Sequence, residues 1–354
     1  MKIIHTADIH LGSKMDSRYP RELVQKRKEE LKNTFLRMVE YAQKNEVKVI
    51  LLCGDLFDSD TPLKKEKDFF YSVVKDFSSI DFLYLKGNHD LKGGYDGEKP
   101  KNLYLFGNDW KYYLYDNIVI GGIEITSDNY MSFYSTLKMD KDSVNIVMLH
   151  GQIADSVGMG NICLKKMRNK NIDYLALGHV HKIQEGRLDE RGNYVYSGCL
   201  EGRGIDEVGK HGFYLLDVGT CVNYCFVPFA EREIIALDVD ITGVTSAYDA
   251  VVRIKNKIKF DKKNIYRINL IGETEIDSET IERDIEKYLS NVCTYVSIKD
   301  KTTKKIDIEK YAGDLSIKGE FVRTVFSDKS LSDDEKIQII RCGLRALTGD
   351  EVDL

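Results

Sequence analysis

The sequence predicts a layered α/β domain with a largely β middle, followed by a small α+β domain and a helical tail. Three observations predict it. Apolar runs alternate with amphipathic stretches over the first two-thirds of the chain. Several of those runs break abruptly into polar, glycine-containing loops. The composition shifts near Pro228 to Glu233, and strand-like and helix-like segments alternate again beyond it.

The elements follow in order. KIIHTA reads as a strand. Arg21 to Asn45 reads as a helix, with Leu31, Phe35, Met38, Val39 and Ala42 on one face. VKVILLCGD is a nearly continuous apolar, β-branched run, as expected of a strand covered on both faces. Thr61-Pro62 predicts a helix start, a cap followed by proline at the first helical position. That helix continues through Phe69, Phe70, Val73, Val74 and Phe77. DFLYLKGNHD is strand then loop, and Leu103 to Ile125 holds short strands and turns. VNIVMLHG and IDYLALGHVH are strands running into polar loops, with a helix around Ile162 to Lys170 between them. Residues 194 to 229 read as further strands and turns. Then IIALDVDI, Ser246 to Ile258, IYRINLIG, Ser278 to Leu289 and VCTYVSIKD read as strand, helix, strand, helix, strand. From Tyr311 onward the pattern is helical. Ser332-Asp333-Asp334-Glu335 is a helix start, because serine caps and carboxylates suit the positive end of the dipole. Ile337, Ile340, Leu344 and Leu347 form its apolar stripe. The predicted domains are 1–230, 231–302 and 303–354.

A chain of 354 residues is too long for one average domain. Its net charge of −5 excludes a surface coated in basic charge, so any nucleic-acid contact must be local or carried by bound metal. MKIIHTADIH has no basic region followed by an apolar stretch, so no signal peptide is expected. No apolar run approaches the roughly 20 residues that span a bilayer. Seven cysteines without paired CxxC spacing point to reduced thiols in a cytoplasm. Cys221 and Cys225 are either a zinc pair or two ordinary strand residues.

Five polar clusters follow apolar runs: Asp8-Ile9-His10, Gly54-Asp55, Gly87-Asn88-His89-Asp90, His150-Gly151 and Gly178-His179-Val180-His181. In an open α/β sheet the loops beyond the strand C-termini gather in one crevice, where residues distant in sequence converge. Residues spaced by two, as in D-x-H and H-x-H, face the same side of an extended backbone. Carboxylate, imidazole and amide oxygen suit Mn, Fe or Zn. The glycines let the backbone turn tightly beside a metal. Five of the seven histidines lie in these clusters. The remaining two have plainer readings. His5, inside the first strand, is a core residue or supports the ligands, and His211, in a charged turn, is solvated.

The ordered set DIH, GD, GNHD, H and GHVH resembles the calcineurin-like metallophosphoesterases. The opening KIIHTADIHLG, then GDLFD and GNHD, resembles more narrowly the nuclease subunits of the SbcD and Mre type that act in DNA repair. The resemblance covers residues 1 to 230. It implies a four-layer α/β/β/α sandwich, a βαβαβ capping domain, and a tail that docks on the coiled coil of an SMC-like ATPase of the SbcC type. It assigns Asp8, His10 and His181 to one divalent metal and Asn88, His150 and His179 to a second. Asp55 bridges the two, His89 is catalytic, and Asp90 orients or supports His89. The implied ions are two divalent metals, Mn2+ first among Fe2+, Zn2+ and Mg2+. The implied partners are DNA, the ATPase and a second copy of the chain, with no membrane. One departure is Asp58, where several members of that family carry histidine.

The motifs specify a reaction class and leave the substrate to the resemblance. Lys255, Lys257, Lys259, Lys262 and Lys263 could track a phosphate backbone or be a solvated helix end, with the acidic stretch Glu273 to Glu286 nearby. Two other functions stay open. One is a phosphatase or phosphodiesterase acting on a protein or small nucleotide. The other is a DNA-bound scaffold that assembles an ATPase around a vestigial metal site.

Overall fold

The computed structural model describes all residues except 16–17, 91–97, 275, 277, 304–309, 312 and 349–354. Parts of the acidic stretch at 273–286 and of the tail at 303–354 therefore lie outside the described residues. The chain divides into two compact units. One is Met1–Ala236 with Asp261–Arg267 and Val292–Tyr295; the other is Leu237–Phe260, Ile268–Asn291 and Val296–Leu354.

The first unit runs β1 (Lys2–Thr6), α1 (Arg21–Lys44), β2 (Val49–Cys53), α2 (Lys64–Asp76), β3 (Asp81–Leu85), β4 (Leu103–Leu105), β5 (Lys111–Tyr115) and β6 (Ile118–Gly122). It continues with α3 (Phe133–Thr136), β7 (Val144–His150), β8 (Gln152–Ile153), β9 (Asn161–Ile162), α4 (Leu164–Met167), β10 (Tyr174–Gly178), β11 (Gln184–Arg187), β12 (Asn193–Tyr196), β13 (Gly212–Val218) and β14 (Val222–Pro228). Two six-stranded sheets form, in the orders β14-β13-β1-β2-β3-β4 and β11-β12-β10-β7-β6-β5. The central strands β1, β2 and β3 run parallel, as do β6, β7, β10 and β12.

Alternation along each strand builds the layers. Ile3, Val49, Leu51 and Leu83 from one sheet pack against Ile120, Ile146, Met148 and Ala176 from the other. The opposite faces, at Ile4, Ile50, Leu52 and Phe82, meet Leu31, Phe35, Met38 and Val39 of α1 and Phe70 and Val74 of α2. On the far side, Val147, Leu149, Leu175 and Leu177 lie under Phe133, Tyr134 and Met167 of α3 and α4. The result is the expected α/β/β/α sandwich.

Two predicted elements differ. Helix α2 begins at Lys64 after an uncapped Leu63, because Thr61 is held by Ser59, whose Oγ accepts its N–H at 3.2 Å. The helix expected over Ile162 to Lys170 is the single turn α4. It ends where Arg168 turns extended, at ψ 149°, and Asn169 and Asn171 beyond it both adopt φ +57°.

After β14, β15 (Ile234–Asp240), α5 (Ala247–Lys257), β16 (Ile265–Ile271), α6 (Ser278–Leu289) and β17 (Tyr295–Asp300) alternate in order, with β16 central in a three-stranded sheet; the helices and the larger part of each strand belong to the second unit. Val251 and Ile254 of α5 and Ile281 and Ile285 of α6 are buried. Two helices follow, α7 (Ile317–Ser327) and α8 (Asp333–Thr348). Ser332 and Glu335 form a reciprocal cap at the start of α8: each backbone N–H donates to the other's side chain, at 2.8 and 3.4 Å. Within the stripe on α8, Ile340 is fully buried while Leu347 is 43% exposed.

Candidate metal centre

β1, β2, β3, β7 and β10 end at Thr6, Cys53, Leu85, His150 and Gly178, and the polar clusters begin there. The chains leaving β1 and β2 stay side by side. The Asp8 N–H donates to Gly54 O at 3.1 Å, His10 to Asp55 O at 2.9 Å and Leu11 to Leu56 O at 2.8 Å. The expected extended backbone at Asp8 and His10 is not what brings them together. Both are left-handed, with φ of +51° and +52°. The turn at each residue, rather than a strand's alternation, aims the two side chains at one point. Of the four glycines expected to turn the chain, Gly54 is left-handed at φ +88°. Gly87, Gly151 and Gly178 serve close approach: a Cβ there would lie 2.1 Å from Asp55 Oδ1, 2.6 Å from Gly160 O and 1.9 Å from Cys53 O.

The seven residues expected to be ligands converge. Asp8, His10 and His181 form one set of polar atoms within 4.8 Å of one another; Asp55, His150 and His179 form another. Asn88 Oδ1 lies 3.1 Å from His150 Nε2 and 3.0 Å from His179 Nδ1. Asp55 Oδ2 stands between the sets, 3.4 Å from His150 Nε2 and 3.9 Å from His10 Nε2.

The donor set fits cations on its own chemistry. His181 Nδ1 is 2.8 Å from Glu207 Oε1 and His150 Nδ1 is 2.9 Å from Cys53 O, so each of these nitrogens carries the proton. The opposite nitrogens then present lone pairs. His150 Nε2 faces the oxygens of Asn88 and Asp55, and His181 Nε2 faces His10 Nε2 at 3.2 Å. Acceptor atoms gathered this closely in a largely buried place suit a cation between them. The same crowding of oxygens favours positive charge here, as a proton on His150 where no metal is bound and as a metal where its Nε2 is deprotonated. Burial opposes a charge on His150, yet its contact with Asp55 and the nearby Asp8 carboxylate outweigh burial and push it up to about 9. Burial pushes Asp8 up to about 6. Asp55 is pulled the other way: burial raises it, but the neighbouring imidazoles and the His89 N–H hold it well below the usual carboxylate range.

His89 stands exposed at the rim, its ring centroid 5.1 Å from that of His10 and its N–H donating to Asp55 Oδ1 at 2.9 Å. Asp90 does not orient the His89 ring. Fully buried, it accepts from the N–H groups of Gly87 at 2.6 Å and Leu56 at 2.8 Å and from the Tyr84 hydroxyl. It pins the loop that carries Asn88 and His89.

His5 is a core residue, with Nδ1 2.9 Å from the Tyr174 hydroxyl and Nε2 3.2 Å from Leu177 O. His211 is not solvated. It is buried, with Nε2 2.8 Å from Glu207 O and Nδ1 3.2 Å from Cys199 Sγ, because the turn folds in beneath the centre. Cys221 and Cys225 are exposed, and all seven cysteines are free thiols. The five lysines are exposed, Lys255, Lys257 and Lys259 in the second unit and Lys262 and Lys263 in the first. Sequence reasoning missed Arg203 and Glu207. They lie in the charged, glycine-rich stretch EGRGIDEVGKHG, where nothing local separates a working carboxylate from a solvated one. Beside the centre an open cavity of about 450 Å3 is lined by Lys86, Asn88, Ile125, His150, Met159 and His179.

A layered α/β unit with this centre at its strand ends defines a class, and comparison bears on it. The calcineurin-like phosphoesterase family profile matches residues 1–183, over half of the chain, and the chain belongs to that family. It is a metal-dependent hydrolase of phosphate esters. Among its relatives is the DNA double-strand break repair protein Mre11 of Sulfolobus acidocaldarius, 24% identical, with 86% of this chain and 85% of that protein covered. The SbcD component of the SbcCD nuclease of Staphylococcus epidermidis is 23% identical over 78% of this chain and 80% of its own length. The metallophosphoesterase YhaO of Bacillus subtilis is 29% identical over 62% of this chain, which spans 57% of YhaO. Among the described residues, no helix is long and apolar enough to cross a membrane.

Proposed function

We propose that this chain is a DNA nuclease that hydrolyses phosphodiester bonds during the processing of broken DNA ends. In this reading Asp8, His10 and His181 hold one divalent cation and Asn88, His150 and His179 a second, Mn2+ foremost, with Asp55 shared. Such a pair of cations, when bound, acidifies a water and neutralises the charge that builds on phosphoryl oxygens. The remaining work falls to the chain. Glu207 and the Cys53 carbonyl set the tautomers of His181 and His150, so that their lone pairs face inward. His89 delivers a proton to the leaving oxygen from the rim, and Asp90 holds the loop that positions it. One observation carries the reading: Asp55 Oδ2 lies within 4 Å of imidazole nitrogens from both sets, 3.4 Å from one and 3.9 Å from the other.

The relatives named for DNA double-strand break repair and for the SbcCD nuclease support DNA as substrate and an SbcC-type coiled-coil ATPase as partner. On the same footing we propose that residues 231–302 cap the nuclease domain 1–230, that the tail 303–354 docks on the ATPase, and that two copies pair through α1 and α2. The cell compartment consistent with this work is the cytoplasm.

The test is His89→Ala in the full chain. Manganese content by plasma mass spectrometry should match wild type, while DNA hydrolysis falls by about 10²–10⁴-fold, the usual worth of a placed acid. Wild-type cutting by the variant would remove His89 from the mechanism. A competing reading, a phosphodiesterase for small substrates, draws on the cavity beside Asn88 and His179, whose 450 Å3 suits a small ligand. Hydrolysis of bis-p-nitrophenyl phosphate without degradation of single- or double-stranded DNA, with or without an ATPase, would favour it.

A further inference from the structure

The side chains that orient two of the proposed ligands are tied together by one arginine. Glu207 Oε1 accepts from His181 Nδ1 at 2.8 Å. Asp58 Oδ1 lies 3.1 Å from His10 Nδ1, on the ring edge away from the centre. Arg203 reaches both carboxylates. Its Nη1 donates to Asp58 Oδ1 at 2.9 Å and its Nη2 to Glu207 Oε1 at 2.9 Å. The backbone N–H of Arg203 adds a bond to Glu207 Oε2 at 2.6 Å. The groups therefore run as one chain, from His10 through Asp58, Arg203 and Glu207 to His181. The three charged side chains are mostly buried, 24% exposed for Asp58, 15% for Arg203 and 16% for Glu207. Asp58 comes from the loop after β2, whereas Arg203 and Glu207 come from the loop between β12 and β13.

We propose that Arg203 is a clasp. It joins the orienting carboxylates of His10 and His181, and so fixes the geometry of one cation site while leaving the other alone. Arg203 is not an arm for substrate phosphate, because both terminal nitrogens are already committed to Asp58 and Glu207. Nor does it reach the second set. His150 is oriented by the Cys53 carbonyl, and His179 is held by its own N–H on Asp8 Oδ1 at 3.0 Å. Guanidinium geometry matters here, since two acceptors on separate loops need a planar fork with two donors in fixed directions. An ammonium offers a single point of charge. The clasp thus makes Arg203, Glu207 and Asp58 positioning residues for the site of Asp8, His10 and His181. It accounts for an aspartate at position 58, whose negative charge Arg203 requires. The inference rests on the two-cation reading above.

The experiment is calorimetric titration of EDTA-treated full-length chain with Mn2+, comparing wild type, Glu207→Gln, Arg203→Lys and Arg203→Gln. Wild type should take up two ions. Each variant should bind one of them about 10- to 100-fold more weakly, the usual effect of losing a ligand's orienting partner, and the other within twofold. Arg203→Lys should rescue little, although it keeps the charge. Thermal melting of the metal-free chains separates positioning from general damage. Arg203→Lys, the mildest change, should melt near wild type and still show the split affinities. Two wild-type sites with both affinities unchanged in the variants would overturn the clasp alone. Equal weakening of both sites in Arg203→Lys would also overturn it. A wild-type chain that binds no Mn2+ would overturn the two-cation reading, and the clasp with it.

Discussion

Four residues at the centre sit in a backbone conformation that L-amino acids avoid: Asp8 at φ +51°, His10 at +52°, Asp55 at +49° and His179 at +101°. Each left-handed residue costs about 1–2 kcal/mol, and such strain persists only where the surroundings over-determine it. Here the paired N–H to carbonyl bonds between residues 8–11 and 54–56 do so for the first three, and the N–H of His179 donates to Asp8 Oδ1. His5, just upstream, shows the opposite economy, a titratable group kept neutral. Burial holds its pKa down at about 3, against 6.5 for a free imidazole. Between those values the unfolded chain takes up a proton that the folded chain refuses. The stability His5 contributes is therefore intact above pH 6.5 and lost as pH falls toward 3, by up to about 1.4 kcal/mol per pH unit. The urea midpoint of the metal-free wild type should fall more steeply from pH 6.5 to 4 than that of His5→Gln. Parallel curves would clear His5 of that role. At this scale the sequence names the residues and hides their conformation. The types and order at 8, 10, 55, 88, 150, 179 and 181 can be read directly. A left-handed aspartate or histidine leaves no mark in the pattern, and neither does the bond from Glu207 to His181, made across 26 residues.

At the level of elements, the centre exists because the two sheets nearly touch where β2 and β10 end. His150 Nδ1, at the end of β7, reaches Cys53 O of β2 at 2.9 Å. Gly178, at the end of β10, comes closer still: a Cβ there would stand 1.9 Å from that same carbonyl and 2.9 Å from His150 Nδ1. Backbone cannot yield as a flexible side chain does, so Gly178→Ala must push the sheets apart. Overpacking of this kind costs about 1–3 kcal/mol or more. Because His179 and His181 follow directly, the variant should also lose bound manganese, measured by mass spectrometry of the folded protein. A folded Gly178→Ala with its full complement of metal would show that the sheets tolerate separation there. The strands themselves were legible, since β2 and β7 are buried along their whole length, β2 as an unbroken apolar run and β7 as one interrupted only by Asn145 before it ends at His150. Helix ends were less so. α2 starts after Pro62 without using Thr61, and α4 stops where Arg168 turns extended, just before two left-handed asparagines. Both outcomes depend on local hydrogen bonding and φ choices that apolar periodicity does not encode.

Across the whole molecule, a net charge of −5 sets the terms for any contact with a polyanion. The chain as a whole does not attract one, so backbone contacts must come from exposed, local cations and from the metal centre itself. Lys255, Lys257 and Lys259 are exposed on and just after α5, and Lys262 and Lys263 are exposed in the loop that leads into β16. The ammonium of Lys257 is tied to the fold, donating to the Asp238 carbonyl. On the proposed nuclease reading the exposed ammonium groups meet phosphate. Each phosphate neutralised by a lysine steepens the fall of log affinity with log salt by about 0.9 on duplex DNA. Changing all five to glutamine should therefore flatten that slope by about one per lost contact and weaken binding evenly across sequences. Stability should hardly move, since exposed substitutions usually stay within about 0.5 kcal/mol. Fluorescence anisotropy of a labelled duplex between low and moderate salt reads the slope directly. An unchanged slope in a variant that melts like wild type would assign these lysines to a solvated surface and leave phosphate binding to the metal centre.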